Sequence, residues 1–381
     1  MLDCRPVPRF ARLYAALVMT LFHAALLFAA LNLLAWGWLA AFPADPIELS
    51  YGSRPFSLVY PGRSRAEVRQ LLQETWNRPP GWEPYTGLRE RPFHGRFVNV
   101  HPAGFRLSLR QAPWPPDPAR AGVFVFGGST AFGYGVADEE TIVSFLQEAL
   151  DRRMGRGRAS CYNFGRAGDF STGERALFEQ LLASGVSPGV AVFVDGVNEF
   201  YFDAPYLTPR LRSALRTPVA YAVSALNEQL PLTRLVSRWK AKKGRPRTEP
   251  EVRNAYDDPA LLDGRIERYL ANRRLVQAVA AAYGVRALFV WQPVPTYRYD
   301  ARYDLFGEFD LGANNYSRFG YPRMEARLLR EPPGPDFLWA ADLQVGLHQP
   351  LYVDQIHYTA AMSRRLGEAI AQALLDRGLL R

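Results

Sequence analysis

A long apolar stretch near the start of the chain is its strongest hydrophobic pattern. No charged residue occurs between Arg12 and Asp45, and the only clearly polar residues in the stretch are Thr20, His23 and Asn32. A membrane-spanning helix needs about 20 apolar residues, whereas the apolar core of a cleaved signal peptide usually has only ~7 to 15. The pattern therefore predicts a retained transmembrane helix over residues 13–42, with a cleaved signal peptide as the alternative.

The charges that flank this stretch predict its orientation. Arg5, Arg9 and Arg12 precede it against the single Asp3, whereas Asp45 and Glu48 follow it. An excess of arginine and lysine marks the cytoplasmic side of a membrane helix. We expect a cytoplasmic tail over residues 1–12 and the rest of the chain, from about residue 45, outside. The 43 arginines against three lysines are typical of a GC-rich bacterial genome, which is an observation about codons and not about function. The expected location is the bacterial inner membrane, single-pass, with a periplasmic domain.

From residue 121 the pattern alternates between short apolar runs and helical periodicity. The apolar runs predict strands at Gly122–Phe126, Cys161–Phe164, Gly189–Val194, Arg286–Trp291 and, more weakly, Phe337–Ala341. Helical spacing marks Glu139–Leu150, Gly173–Ala183, Arg265–Tyr283 and Thr359–Leu375. Strands that alternate with helices predict an α/β domain with a parallel sheet covered on both faces.

Residues 45–120 are rich in proline, arginine and aromatic residues and lack this alternation. Two extended segments, Arg96–Val100 and Gly104–Arg106, are expected to pack against an edge of the sheet. We interpret residues 45–120 as an N-terminal extension of the α/β domain and not as a second domain. His94 and His101 have no spacing typical of metal ligands, which favours structural roles.

The net charge of +9 comes mostly from one segment. Residues 209–250 contain ten arginines and lysines against two glutamates, within a basic insertion at about 204–260. Apolar residues recur there at helical spacing, at Leu211, Leu215, Val219, Val223, Leu226 and Leu230. One interpretation is a solvated insertion, and the other is a segment that lies on an anionic lipid surface or over the active site. The predicted topology excludes nucleic acid as a partner.

The residues that could bind a cofactor are few. Cys4 and Cys161 are expected on opposite sides of the membrane, and two cysteines cannot form a four-cysteine zinc site. No lysine follows Gly127-Gly128 as it would in a phosphate-binding loop, and Gly133-x-Gly135 lacks the third glycine of a dinucleotide fingerprint. No metal, nucleotide or flavin cofactor is therefore predicted.

Four polar clusters follow predicted strands of the sheet. They are Gly127-Gly128-Ser129-Thr130, Asn163-x-Gly165-x-x-Gly168, Asp195-Gly196-Val197-Asn198 and Asp354-x-x-His357. Taken singly, each could be a turn, a helix cap or a structural histidine. Because loops at the carboxyl ends of parallel strands gather at one edge, we expect these clusters to converge. A hydroxyl, an imidazole, a carboxylate and hydrogen-bond donors together indicate nucleophilic acyl transfer.

These clusters resemble the four sequence blocks of the SGNH (GDSL-like) hydrolase superfamily, and in particular its membrane-anchored bacterial members. Ser129, Gly168, Asn198 and His357 match the Ser, Gly, Asn and His of the blocks, so the resemblance covers residues 121–381. It implies a three-layer, flavodoxin-like sandwich with a five-stranded parallel sheet. It also implies Ser129 as nucleophile, His357 as general base and Asp354 as the orienting carboxylate, with an oxyanion hole formed by Ser129, Gly168 and Asn198.

The chain departs from the family pattern at two positions. The usual Gly-Asp-Ser is Gly127-Gly128-Ser129 here, and Gly-x-Asn-Asp is replaced by Gly196-Val197-Asn198-Glu199. Neither departure removes a catalytic group, but both indicate a divergent branch. Asp195, Arg166 and Asp169 adjoin the expected site, where they could bind a polar substrate, although buried pairing or turn capping is the simpler interpretation.

Another region rich in aromatic residues lies between Trp291 and Pro335. It contains the run Gln292–Tyr297 and the residues Tyr299, Tyr303, Phe306, Phe309, Tyr316 and Phe319. These side chains could line a pocket for a sugar or an acyl group, or could form a satellite core under a long loop. The sequence does not distinguish these two interpretations.

Three functions are consistent with these observations. The first is a membrane-anchored, extracytoplasmic serine esterase that removes acyl or acetyl groups, with an acylated carbohydrate among the candidate ester substrates. The second is an O-acyltransferase that uses the same triad to modify an envelope polysaccharide, with a partner membrane protein as acyl donor. The third is a catalytically inactive carbohydrate-binding or assembly protein, which the complete set of Ser, Gly, Asn, Asp and His argues against.

Overall fold

The computed structural model describes residues 9–43, 45–52, 54–78, 81–83, 86–117, 119–201, 216–242, 256–307 and 312–380. Cys4, Leu211, Leu215, Phe309 and the parts of the basic insertion at 204–215 and 243–255 lie outside these residues. Two compact units are present. One comprises Met1–Asp45 with Pro209–Asn254, and the other Pro46–Thr208 with Ala255–Arg381.

The described α-helices are α1 (Arg9–Ala41), α2 (Pro46–Tyr51), α3 (Arg65–Trp76), α4 (Ser129–Phe132), α5 (Ile142–Met154), α6 (Ser171–Ala183), α7 (Val197–Tyr201), α8 (Pro218–Gln229), α9 (Pro231–Lys242), α10 (Pro259–Ala282), α11 (Tyr316–Arg330) and α12 (Ala360–Asp376). The described strands are β1 (Gly81–Glu83), β2 (Gly87–Arg89), β3 (Phe93–His94), β4 (Asn99–Val100), β5 (Ala121–Gly127), β6 (Ala159–Asn163), β7 (Val190–Asp195), β8 (Arg286–Trp291) and β9 (Phe337–Trp339).

The smaller unit is built on α1, the helix predicted from the apolar stretch. Within α1, Phe10–Ala41 is long and apolar enough to cross a membrane. Its apolar side chains are exposed, as those of a helix surrounded by lipid would be. From the basic insertion, α9 packs against α1, and α8 precedes α9 in the chain.

The larger unit contains the predicted five-stranded parallel sheet, in the order β6-β5-β7-β8-β9. Its strands alternate between aromatic and β-branched residues. On one face, Phe126, Phe193 and Phe289 stack in a row with centroids 5.0 and 5.4 Å apart and contact the cluster that includes α6, α10 and α11. On the other face, residues such as Val123 and Val192 pack under α5 and α12. The expected three-layer α/β fold is confirmed.

Within the larger unit, the segment between residue 46 and the sheet packs through a third core cluster. Tyr51, Val68 and Leu71 are buried there together with Phe132, the last residue of α4, and Val353, which lies close to His357 in the chain. At the sheet edge, the Arg106 N–H donates to the Asn163 carbonyl at 2.9 Å. The expected contact between this extended chain and the sheet is therefore present.

Of the described aromatic residues between Trp291 and Pro335, Tyr297, Phe306 and Tyr321 are buried, Tyr299, Tyr303 and Tyr316 are half-buried, and Phe319 is exposed. Tyr297 is buried in the core beneath one face of the sheet, and Phe306 is buried in the cluster that contains Tyr51. Tyr299 packs on Tyr352 and donates to the carbonyl of Tyr303. The structure therefore favours the satellite-core interpretation over a substrate pocket for these residues. His101 likewise stacks on Phe105 with centroids 4.6 Å apart, a structural role.

Candidate active site

Ser129 is the first residue of the short helix α4, which begins one residue after strand β5. Because β5 is the second strand of the sheet and ends at Gly127, this position places the hydroxyl at the carboxyl edge of the sheet, where it remains partly exposed between buried neighbours. The N–H groups of a helix's first turn have no partner within the helix. Within the described part of the chain, the Ser129 N–H has no hydrogen-bond partner.

Three predicted site residues form a continuous hydrogen-bonded relay. The Nε2 atom of His357 lies 2.8 Å from the Oγ atom of Ser129, and its Nδ1 atom lies 2.7 Å from Oδ2 of Asp354. His357 is buried, so water has little access to the ring. The arrangement has the order carboxylate, imidazole, hydroxyl that activates a serine oxygen.

The turn that carries Asp354 and His357 is fixed by its own hydrogen bonds. Oδ1 of Asp354 accepts hydrogen bonds from the N–H groups of Ile356 and His357 at 2.9 and 2.8 Å. An antiparallel β-bridge joins the backbones of Tyr352 and Tyr358 on the two sides of the turn. Burial alone would raise the pKa of Asp354, but the adjacent imidazole and these donors lower it overall. Asp354 is therefore a carboxylate at neutral pH and can hold Nδ1–H toward itself.

Two aromatic rings enclose the imidazole of His357. Tyr134 stacks on it with centroids 5.4 Å apart and an angle of 23°, and Trp76 meets it edge-on at 5.6 Å. Trp76 also packs against Tyr134 at 5.0 Å while 48% of its surface remains exposed. The extension therefore contributes a wall of the site, since Trp76 is the last residue of α3.

The buried carboxylate of Glu90 connects three segments around this site. It accepts the Tyr134 hydroxyl at 3.1 Å and the Ala167 N–H at 3.4 Å, and pairs with Arg78 at 2.7 Å. Burial, together with the negative charge of Glu90, raises the pKa of Tyr134, which keeps its hydroxyl protonated as a donor. Glu90 thus ties the ring that stacks on His357 to the loop that carries Gly168.

Gln292 connects the segments that carry the serine and the histidine. Its Oε1 atom accepts the hydroxyl of Thr130 at 2.6 Å and lies 3.1 Å from the hydroxyl of Tyr358, which also donates to the adjacent Pro293 carbonyl at 2.6 Å. Thr130 is adjacent to Ser129 in the chain, and Tyr358 is adjacent to His357. Gln292 is buried directly after β8, so it contacts the chain neighbours of Ser129 and His357 from the interior of the fold.

The predicted oxyanion donors gather beside Ser129. Gly168 has φ +67°, a left-handed turn conformation that glycine adopts easily, and its N–H has no partner in the described chain. Asn198 is buried near the start of α7 and donates through Nδ2 to the carbonyl of Asp169 at 2.7 Å. An amide nitrogen has two hydrogens, so one remains for a substrate oxygen.

The two departures from the family pattern have structural explanations. A Cβ atom at Gly128 would lie 2.2 Å from Nδ2 of Asn198 and 3.1 Å from the Asp169 carbonyl oxygen, so Asn198 fills the space that a side chain would need. Glu199 is buried and accepts the N–H and hydroxyl of Ser171, the first residue of α6, at 2.6 and 3.1 Å. It therefore binds the positive N-terminus of that helix.

Four carboxyl groups are buried together beneath this loop: Asp169, Glu174, Asp195 and Glu199. Burial raises the pKa of each, and that of Asp169 reaches about 7 despite the nearby Arg166 guanidinium. Arg166 is itself buried and pairs with Glu83 at 3.1 Å. Asp195, Arg166 and Asp169 are thus internal groups, as the simpler interpretation expected, and do not form an open polar subsite.

Sequence reasoning missed the roles of Trp76, Glu90, Tyr134 and Gln292. Gln292 directly follows a predicted strand, as the four polar clusters do. This position could have indicated from the sequence that Gln292 lies near the site. The others come from the extension or from the loop after α4, where no periodicity or motif marks them. Among the described residues, no group of three or more His, Cys, Asp or Glu side chains is arranged to hold a metal ion.

The solved structures that match this chain include a GDSL-family protein and esterases. A lipolytic G-D-S-L family member from Veillonella parvula matches with a TM-score of 0.35 and 12% identity, covering 67% of this chain and 96% of its own. A carbohydrate acetylesterase family member from Sinorhizobium meliloti matches at 0.34 and 16%, covering 68% and 98%. The psychrotrophic esterase EstA from Pseudoalteromonas matches at 0.33 and 10%, covering 67% and 97%.

No family model and no curated protein sequence matches the chain. The function is therefore argued from the geometry of the site itself.

Proposed function

We propose that this protein is a serine ester hydrolase of the SGNH type that removes acyl or acetyl groups. The observation that carries the proposal is the relay from Asp354 through His357 to Ser129, with distances of 2.7 and 2.8 Å. The resemblance to the GDSL-like hydrolases and the esterase neighbours agree with this reaction class. The acetylesterase neighbours make an acylated carbohydrate the first substrate class to examine.

In the proposed reaction, Oγ of Ser129 attacks the carbonyl carbon of the ester while Nε2 of His357 takes the hydroxyl proton. Asp354 stabilises the imidazolium through Nδ1–H. Collapse of the tetrahedral intermediate breaks the ester C–O bond, and His357 returns the proton to the leaving alkoxide. A water molecule, deprotonated by the same imidazole, then attacks the acyl-enzyme and releases the carboxylic acid and free Ser129.

The developing oxyanion is assigned to the N–H groups of Ser129 and Gly168 and to Nδ2 of Asn198. Unsatisfied N–H groups that are already oriented stabilise such a charge without reorganisation at the moment of reaction. Loss of one such donor typically costs ~100- to 1000-fold in rate. The partners of Glu90 and Gln292 support this assignment, since they fix the loops on both sides of Ser129.

We further propose that α1 anchors the protein in the bacterial inner membrane, with the catalytic unit outside the cytoplasm. Helix length, apolar composition and the flanking arginines support this location. A reporter fused after Arg381 that is active only outside the cytoplasm is expected to be active. A second reporter, which is active only in the cytoplasm, is fused at the same position. Activity of this second reporter would overturn the proposed orientation.

The test of the proposed activity is covalent labelling of the full chain, in detergent micelles, by a fluorophosphonate probe. Labelling reports an activated serine without requiring the natural substrate. Wild type and the exposed-serine control Ser184→Ala should label, whereas Ser129→Ala and His357→Ala should not. Circular dichroism establishes that each variant is folded. A folded wild type that does not label would overturn the proposal in favour of a non-catalytic binding protein.

A further inference from the structure

Asn32 is a polar residue inside the apolar helix α1, and it contacts the basic insertion. Its Nδ2 atom donates to the Phe28 carbonyl at 2.9 Å, and its Oδ1 atom accepts the Leu232 N–H at 3.1 Å. Leu232 is the second residue of α9, so its N–H has no partner within that helix. Asn32 therefore supplies the acceptor that a helix N-terminus needs in an apolar environment.

From this contact, α9 runs alongside the end of α1. The guanidinium of Arg238 donates to the carbonyl of Phe42. Arg238 lies six residues after Leu232 in α9, and Phe42 lies ten residues after Asn32, just past the end of α1. At a rise of about 1.5 Å per residue, these contacts follow the final ~15 Å of the anchor. Trp36 and Trp38 are exposed in the same stretch, and tryptophan is enriched at the boundary between lipid and water.

The helix before this contact, α8, presents an apolar face without a protein partner among the described residues. Val219, Val223 and Leu226 are 76%, 61% and 67% exposed. Their spacing of four and three residues places them on one face of α8. Only Leu230 separates α8 from α9, so the C-terminal end of α8 lies close to Asn32 on the anchor.

We propose that α8 and α9 form a membrane-interface element that lies in the outer boundary of the lipid bilayer beside α1. The face of Val219, Val223 and Leu226 would contact acyl chains, and α9 would rise along the anchor through the headgroup region. The proposal rests on the anchoring role proposed for α1. It resolves the two interpretations of the basic insertion in favour of the lipid surface.

The partner is a phospholipid bilayer with anionic headgroups, for two reasons. The element is continuous with the anchor through Asn32 and Arg238, which brings it to the depth at which lipid is the surrounding medium. Its charge is also complementary, because residues 218–242 carry four basic side chains against one acidic side chain. Each cationic residue near an anionic membrane surface adds to the attraction.

The inference is tested with the full chain in nanodiscs of phosphatidylcholine and phosphatidylglycerol. Cys4→Ser removes one thiol, and Cys161 is buried and escapes labelling under native conditions. A polarity-sensitive fluorophore is placed on Val223→Cys, on the matched control Ser224→Cys, and on Leu26→Cys within α1. Quenching by lipids brominated on their acyl chains reports which positions contact hydrocarbon.

Quenching at Val223 that is at least threefold stronger than at Ser224 is the expected result. Quenching at Leu26 but not at Val223 would overturn the interface element while leaving the anchor intact, and would indicate a protein partner or solvent at that face. No quenching at Leu26 would overturn both proposals. Replacement of phosphatidylglycerol by phosphatidylcholine should weaken the Val223 signal, because the anionic headgroups attract the basic side chains of the element. An unchanged signal would overturn the preference for anionic headgroups.

Discussion

The ring of Tyr134 stacks on the imidazole of His357, with centroids 5.4 Å apart and planes inclined by 23°. A histidine that acts as general base must present Nε2 to the serine in one orientation. Asp354 fixes Nδ1 within the ring plane, whereas Tyr134 limits movement perpendicular to that plane. The two contacts together hold the ring along independent directions.

Removal of the Tyr134 ring is expected to slow the reaction of Ser129. Tyr134→Leu should reduce the fluorophosphonate labelling rate by about 10- to 100-fold, because small misplacements of a catalytic group have effects of this size. Tyr134→Phe, which keeps the stacked ring and loses only the bond to Glu90, should retain the rate within about threefold. Equal losses in the two variants would show that the hydroxyl, and not the ring, matters.

Asp354→Asn should leave the fold intact and abolish most of the labelling. In a Ser-His-Asp relay, the amide stabilises the wrong imidazole tautomer, with losses of ~10⁴-fold in rate. The pKa of Asp354 is lower in the folded protein than its ordinary value of 3.8. The ionised carboxylate therefore stabilises the fold fully above pH 3.8, and this stabilisation is lost only as the pH falls through the lower pKa of the folded protein. Labelling of Asp354→Asn within tenfold of wild type at pH 7 would contradict this role.

The ion pair of Arg78 and Glu90 should matter for stability as well as for the site. Both side chains are more than nine-tenths buried, so Glu90→Gln leaves the Arg78 charge without its partner. Breaking a buried pair in this way costs about 3 to 5 kcal/mol. The double variant Arg78→Met, Glu90→Gln should recover part of that loss in chemical denaturation of the full chain. A double variant less stable than Glu90→Gln would contradict this explanation.

The buried carboxyl of Asp169 is expected to make the protein less stable as the pH rises. Its pKa is 3.8 in the reference state and about 7 in the fold, so over this interval the unfolded chain ionises before the folded one. Stability should therefore fall between about pH 4 and 7 and then level off. Asp169→Asn should remove more than about 1 kcal/mol of that fall, measured by denaturation at several pH values. An unchanged slope would show that Asp169 is already ionised at low pH.

The sequence was sufficient to predict the sheet and the relay because both follow from local patterns. Each strand is an apolar run of a few residues, and Ser129, Asn198 and the Asp354–His357 turn follow the strand ends or stand at fixed spacing. The roles of Glu90 and Trp76 could not be predicted in this way, because they depend on how an irregular extension packs 30 to 50 residues before the first strand of the sheet. Gln292 is intermediate, since its position was predictable but its two partners, Thr130 and Tyr358, were not.

Restoration of the family's usual Gly-Asp-Ser by Gly128→Asp provides a sharp test of how this site is assembled. In many enzymes a return to the common motif would be neutral, but here a Cβ atom would lie 2.2 Å from Nδ2 of Asn198. The amide would have to move, and the site would lose its side-chain oxyanion donor. We expect a loss of about 100- to 1000-fold in labelling rate.

The matched control for Gly128→Asp is Asn198→Ala, which removes the donor directly. If the only effect of the aspartate is to displace the amide, the two single variants should lose similar amounts of activity. The double variant Gly128→Asp, Asn198→Ala should then be no slower than either, because the aspartate would occupy the space that the amide leaves. A double variant whose loss equals the product of the single losses would show that the aspartate disturbs Ser129 itself, and not the oxyanion donor.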